Sequence, residues 1–137
     1  MPPVFAVTVM APEQTVFTGK VRSLVAPGKE GYFGVLAHHA PMVAELGIGA
    51  LTIVDEGGTR RVFAIAGGFL EAGSNQVTIL ADSAEMAESI DVGRAESAQQ
   101  RARERLSRRG EDIDLARAEA ARQRALNRIR VAREAQQ

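Results

Sequence analysis

Asp91 and Arg94 stand one helical turn apart in the hexapeptide Ile90-Asp91-Val92-Gly93-Arg94-Ala95. A lone acid and an arginine at a helix start form a place to hold a nucleotide. The carboxylate accepts from an amino or hydroxyl group, and the planar guanidinium fork grips phosphate. Downstream arginines extend the pattern: Arg94, Arg101 and Arg105 share one helix face with Asp91, and Arg117, Arg124 and Arg128 repeat the same spacing. Two such rows facing each other repel unless acids or a polyphosphate lie between them. Glu96, Glu104, Glu111, Asp114 and Glu119 are interspersed and would neutralise the rows as ordinary solvated faces, so spacing alone leaves both readings open.

The hexapeptide is also where the composition changes. Every aromatic residue lies before it, and most of the chain beyond it is alanine, arginine, glutamate and glutamine. The formal net charge of zero conceals an asymmetry: five basic against nine acidic side chains up to residue 90, then twelve arginines and no lysine against eight acids. An all-arginine set suits bidentate contact with carboxylate or phosphate, which lysine cannot reproduce.

Other chemistries find less support. The 137-residue chain has no cysteine, which removes disulfides and thiolate metal sites. His38 and His39 are adjacent, point differently on any regular element and have no evident third ligand, so no metal site is expected. The glycines between Gly28 and Gly34 lack the lysine and hydroxyl residue of a P-loop. No serine, histidine and acid arrangement is legible, and an enzyme working alone is not expected. Met1-Pro2-Pro3-Val4 lacks a basic and apolar leader pattern, and no apolar run approaches the roughly 18 residues that span a bilayer. The expectation is a soluble chain, or one peripheral to a membrane through partners. A nucleic-acid binder is opposed by the eight acids among the arginines and by the absence of aromatic residues there. A self-associating coiled coil is opposed by a short, alanine-rich seam.

The elements that must position these residues are of two kinds. Val4 to Met10, Thr15 to Phe17, Val21 to Ala26, Tyr32 to Leu36, Ala50 to Val54, Arg61 to Ala66, Phe69 to Glu71 and Gln76 to Leu80 read as short strands punctuated by glycine turns. That rhythm predicts a sandwich or barrel. Phe63-Ala64-Ile65-Ala66 is apolar on both faces and must be covered twice, by the opposing sheet and by a further element. The remainder reads as two helices. Asp91 caps the first, with the stripe Ala95, Ala98, Ala102 and Leu106. Gly110 stops it after Arg108-Arg109, and Glu111-Asp112 restarts the chain into a second helix carrying Leu115, Ala118, Ala125, Leu126, Ile129 and Ala132 on one face. So short a connection makes the helices antiparallel neighbours, and their alanine seam holds them weakly.

Several segments together carry a resemblance that covers the whole chain: Ala11-Pro12-Glu13, Phe17-Thr18-Gly19, Gly31-Tyr32-Phe33-Gly34-Val35-Leu36, His39-Ala40-Pro41, Ala66-Gly67-Gly68-Phe69-Leu70-Glu71 and Val77-Thr78-Ile79-Leu80-Ala81-Asp82. In this order, and ending in a helical hairpin, they resemble the epsilon subunit of bacterial-type F-type ATP synthases. The resemblance implies an α+β fold, a flattened ten-stranded β-sandwich over residues 1–84 followed by an antiparallel two-helix hairpin over residues 85–137. It implies a non-catalytic central-stalk subunit of a proton-driven motor. Its sandwich would bind the gamma subunit and the c-ring, with His39 in the loop turned towards that ring and Tyr32 where relatives bear an acid. Its helices would switch between contracted and extended forms, the latter reaching the alpha/beta catalytic hexamer and blocking ATP hydrolysis. The location implied is peripheral, on the cytoplasmic side of the bacterial inner membrane, and the isolated chain is expected to be a monomer.

The hexapeptide resembles the nucleotide motif of those epsilon subunits that bind ATP, matched here by Ile90, Asp91, Arg94 and Ala95. Glu85 matches the acid on the base side, and Arg101, Arg124 and Arg128 match the arginines that complete the site. The resemblance implies that Ile90 and Ala95 pack on the adenine and the arginines neutralise phosphates. No cofactor is required, and regulatory ATP would bind without an obligate magnesium ion. Gly93 departs from a good first turn, lowering helix propensity by roughly 1 kcal/mol relative to alanine.

Overall fold

A computed structural model describes residues 2–108 and 114–135. The chain runs through strands β1 (Phe5–Ala11), β2 (Gln14–Gly28), β3 (Gly31–Leu36), β4 (Met42–Asp55), β5 (Arg60–Gly73), β6 (Gln76–Ala81) and β7 (Ala84–Met86). A 3-10 turn at Ala87–Ser89 leads to helices α1 (Val92–Arg108) and α2 (Leu115–Glu134). The sheet order is β1-β6-β5-β4-β2-β3, with β7 on β5, and β1 also pairs with β2. That extra pairing closes the sheet on itself, and Phe5, Val7, Leu24, Leu51, Ile53, Phe63, Ile65, Leu70 and Ile79 fill the interior.

The α+β class and the sandwich-then-hairpin order match the sequence expectation, while the described residues form seven strands rather than ten. Three strands are long enough to serve both layers. β2 pairs with β1 over its first half and with β3 and β4 over its second, with a register shift between Val21 and Ser23. The expected breaks at Gly19 and at Gly67-Gly68 therefore lie inside β2 and β5. Ala50 to Val54 is the end of a strand that begins at Met42, and Ala84–Met86 adds an unforeseen short strand. The expected division after residue 84 falls within β7, whose residues pair with β5.

Gly67 and Gly68 mark a change of surroundings within β5. Before them Val62, Phe63, Ala64 and Ile65 are all buried, and after them Phe69, Leu70, Glu71 and Ala72 alternate out and in. Phe63 and Ile65 point into the sandwich, whereas Val62 and Ala64 join a second cluster with Ala87, Ile90, Val131 and Ala132. The double covering expected for this segment is thus supplied by α2. At the transition Gly68 has φ +121, and a Cβ there would meet the backbone of Leu80 and Ala81. The left-handed conformation and the close chain both exclude a side chain.

Asp91 caps α1, its Oδ1 accepting from the Arg94 amide at 3.0 Å, and Asp114 caps α2 by accepting from the Arg117 amide at the same distance. Ala95 and Ala102 are buried on α1, as are Ala118, Ala125, Ile129 and Ala132 on α2. Leu126 is half-buried and Leu115 is exposed. The expected stop at Gly110 and restart at Glu111-Asp112 lie outside the described residues.

Asp55 closes the turn between β4 and β5. Its Oδ1 accepts from the Thr59 amide at 2.9 Å, and its Oδ2 accepts from Arg61 Nε at 3.1 Å. The Thr59 amide above all, with Arg61 beside it, holds the carboxyl below its ordinary value against opposing desolvation. A group with a depressed folded pKa adds stability above its unfolded pKa and loses it as pH falls through the folded value. Asp55→Asn is therefore expected to lower the urea midpoint at neutral pH and to flatten its fall on acidification. The two midpoint curves should converge at strongly acidic pH in a denaturation series.

Candidate functional site

The hairpin is stacked rather than laid flat, with α2 against β4 and β5 and α1 against α2. The alanine spacing dictates this, since small residues at three- and four-residue intervals let the helices approach closely. The contribution is small: each buried methyl adds about 0.8 kcal/mol, so four seam alanines add roughly 3 kcal/mol at most.

Polar contacts fix what the seam leaves loose. Asn127 on α2 is 4% exposed, and its Nδ2 donates to Gly49 O at 2.9 Å and Ile65 O at 3.3 Å. Gly49 and Ile65 face each other across β4 and β5, so one amide group ties α2 to both strands. Close to it, Arg128 Nη2 donates to Glu85 Oε2 at 3.1 Å. Arg128 Nε lies 2.6 Å from Oε1 as an ion contact, but its N–H is not aligned with that oxygen and this buried nitrogen makes no directed hydrogen bond. Glu96 on α1 and Arg133 on α2 approach to 3.8 Å, both largely exposed.

Between β5, β7, α1 and α2 lies a cleft of about 280 Å³. Its walls are small, with Ala64, Ala66, Ala98, Ala121 and Ala125 among them, and its polar groups are Ser83, Glu85, Arg124, Asn127 and Arg128. A shallower groove runs on from it past Ala66, Ser83 and Arg124 to Asp82. Arg124 is exposed and makes no ion pair with a carboxylate of the described residues. The arrangement is a slot with alanine sides, a neutralised carboxylate and guanidinium at one place, and a spare guanidinium beside it. What this arrangement offers is a place for an anionic ligand with a flat or small apolar part.

The expected site residues divide in three. Glu85, Arg124 and Arg128 line the cleft. Asp91, Arg94 and Arg101 line a separate open groove on α1 with Gly93 and Ser97. Ile90 and Ala95 line neither: Ile90 packs against the cluster under α2, and Ala95 is fully buried in the helix seam. In the docked arrangement Ile90 is 8% and Ala95 0% exposed, so little surface of either faces the cleft. The two arginine sets remain neighbours in one respect. Ala98, which lines the cleft, is flanked on the surface of α1 by Arg94 four residues before and Arg101 three after.

Sequence reasoning missed Asn127 and Ser83. Asn127 carries a signal in retrospect, an uncharged polar residue after Leu126 and two before Ile129 in a stretch, residues 124–134, whose other polar positions are charged. Ser83 carries none, since its place is set by the break between β6 and β7. His38 and His39 sit between β3 and β4, with His38 at φ +62 and its amide donating to Asn75 Oδ1 at 2.8 Å. No group of three or more His, Cys, Asp or Glu suited to a metal occurs among the described residues.

Residues 4–87 match the family described as ATP synthase, Delta/Epsilon chain, beta-sandwich domain, and residues 88–133 match ATP synthase, Delta/Epsilon chain, long alpha-helix domain. The chain is 52% identical over 134 residues to an ATP synthase epsilon chain of Salinibacter ruber, covering 92% of this chain and 90% of that one. It is 50% identical over 101 residues to that of Pelotomaculum thermopropionicum, covering 74% and 75% of the two chains. A chain in the cryo-EM structure of the Euglena gracilis mitochondrial ATP synthase with F1 and c-ring superposes with TM-score 0.81 at 25% identity, covering 99% of this chain and 82% of that chain. A Tetrahymena thermophila mitochondrial ATP synthase chain shares the fold at TM-score 0.55 and 17% identity, covering 96% of each chain.

The geometry makes Asn127 the polar key of hairpin docking. Asn127→Ala removes two hydrogen bonds to sandwich carbonyls and is expected to weaken docking by about 1–3 kcal/mol. Hydrogen exchange of α2 amides should quicken by roughly 5- to 150-fold while the amides of β1 and β6 change little. Equal acceleration everywhere would show that the amide instead supports the whole fold.

Proposed function

Because the chain belongs to the ATP synthase delta/epsilon family, in which it is a non-catalytic central-stalk subunit, we propose that its hairpin is a nucleotide-sensitive switch on a sandwich that grips the rotor. The observation that carries this reading is the cleft itself, whose walls come from both the hairpin and the sandwich. A ligand in such a cleft binds the docked arrangement and not the released one, so it shifts the population towards docking by its differential affinity.

ATP fits the groups present. Arg124 and Arg128 neutralise phosphates within the cleft, and Arg94 and Arg101 flank Ala98 at the α1 wall. Glu85 accepts from an exocyclic amine, and the alanine sides suit a flat ring. Magnesium is not needed where arginines supply the positive charge. On release, the helices carry their arginines away from Glu85 and Glu96, and acidic segments of the alpha/beta hexamer would replace those partners. Hydrolysis would be blocked in that extended form.

The sandwich bears a surface suited to the gamma subunit. Phe69 and Leu80 pair across β5 and β6, and Val43 lies diagonally from Phe69 on β4. They are 54%, 53% and 70% exposed, on the part of β5 beyond Gly68 and away from the stretch under α2. Adjacent exposed apolar residues mark a protein-binding face. The turn at His38 and His39 would face the c-ring. No described helix is long and apolar enough to cross a membrane. Attachment to the cytoplasmic side of the bacterial inner membrane would come through the complex.

Two measurements test these parts separately. Calorimetric titration of the full chain with ATP should give saturable heat, weakened at least about tenfold in both Arg94→Ala and Arg124→Ala. Silence at about 1 mM ATP would leave the hexapeptide a capped hinge. Phe69→Glu should abolish co-purification with gamma while leaving the hairpin docked by hydrogen exchange; full retention of gamma would remove this face from the assembly.

A further inference from the structure

We infer that the Glu85–Arg128 pair is a selectivity gate on the cleft, admitting anions that bring a hydrogen-bond donor of their own and turning away bare polyphosphates. The inference deepens the nucleotide reading and rests on it. In the unliganded cleft Arg128 is occupied: Nη2 donates to Glu85 at 3.1 Å and Nε lies 2.6 Å from the other carboxylate oxygen. Both side chains are about two-thirds covered, at 30% and 31% exposure. A phosphate that takes the Nε–Nη2 edge of Arg128 must first detach this carboxylate, which then remains in a partly desolvated place without its cation.

Removing one partner of such a pair is the costly case, because the other is left uncompensated. A ligand carrying only phosphate oxygens offers acceptors to Arg128 and nothing to Glu85. A ligand that also carries an exocyclic amine offers a donor to Glu85 and satisfies both halves at once. Specificity then arises from the unsatisfied group left behind by the wrong ligand, a stronger discriminator than shape.

Arg124 differs in kind. It lines the same cleft, is exposed and is not paired with a described carboxylate. It attracts any polyanion alike, so attraction and discrimination reside on two arginines one helical turn apart.

The test titrates the full chain with ATP and with inorganic tripolyphosphate, without magnesium, in the wild type, Glu85→Gln, Arg128→Lys and Asp82→Asn. Asp82 borders the adjoining groove beside Arg124, so its neutralisation removes a charge while leaving the pair intact. The wild type is expected to bind ATP at least about tenfold more tightly than tripolyphosphate. Glu85→Gln frees the guanidinium and should improve tripolyphosphate binding about tenfold, with Asp82→Asn changing it about twofold or less. Arg128→Lys keeps a cation for Glu85 and loses the fork that grips phosphate, so it should bind tripolyphosphate no better than the wild type. Wild-type ATP binding with unimproved tripolyphosphate affinity in Glu85→Gln, or a gain in Arg128→Lys equal to that in Glu85→Gln, overturns the gate and leaves the nucleotide site standing. An equal gain in Asp82→Asn reduces the effect to general electrostatics and also overturns it. Loss of all binding by Glu85→Gln overturns it as well, since the carboxylate would then be needed to form the cleft. Absence of ATP binding in the wild type removes the nucleotide reading together with the gate.

Discussion

The burial of β5 on both faces between Val62 and Ile65 is the constraint on which the rest of the molecule depends. Alternate side chains of one short stretch enter two different cores: Phe63 and Ile65 the closed sheet, Val62 and Ala64 the layer beneath α2. A segment of this kind cannot be left bare without exposing apolar surface, so the sandwich has an intrinsic need for a cover. The cover is small-faced, however. Against Val62 and Ala64 the hairpin sets Val131, Ala132, Ala87 and Ile90, and its own seam is mostly alanine. Need for the contact and weakness of the contact are therefore encoded together.

Polar groups decide where the cover sits. Apolar packing between small side chains is tolerant of sliding, whereas Asn127 has a single place at which it meets the facing carbonyls of Gly49 and Ile65. Burying an amide makes the interface depend on register rather than add greatly to its strength. Glu85 and Arg128 add a second fixed point from β7 to α2. The cleft lies beside these two points and owes its small walls to the same alanines that make the seam shallow. Space for a ligand and ease of release thus have one structural origin.

Much of this was legible in the sequence, for reasons that differ by element. The double apolar character of Phe63-Ala64-Ile65-Ala66 announced a cover because strand periodicity separates faces unambiguously. The cap at Asp91 answers to local chemistry, an acid accepting from an amide three residues on, whereas the like cap at Asp114 was not read. Long strands were harder to see. Glycines at 19, 67 and 68 read as ends, yet in β2 and β5 they let one strand bend or change its surroundings without stopping. Among the site residues, Glu85, Arg124 and Arg128 meet in the cleft, while Asp91, Arg94 and Arg101 lie in a groove of their own. Spacing along a helix fixes which residues share its face but not how that face is turned towards a second element. Ile90 and Ala95 show the same limit, because apolar residues beside a site serve packing and ligand alike until the fold assigns them.

The continuity of β5 through Gly67 and Gly68 has a mechanical consequence. A single strand carries the hairpin on the part before the glycines and the outward Phe69 on the part after them. No loop intervenes to absorb displacement, and β4 runs alongside it in unbroken register from Met42 to Val54. The two surfaces are therefore loads hung on one continuous rod with a joint in it, the pair of residues without side chains. A tilt imposed at Phe69 would have to cross that joint to change the angle of the helix seat beneath Val131.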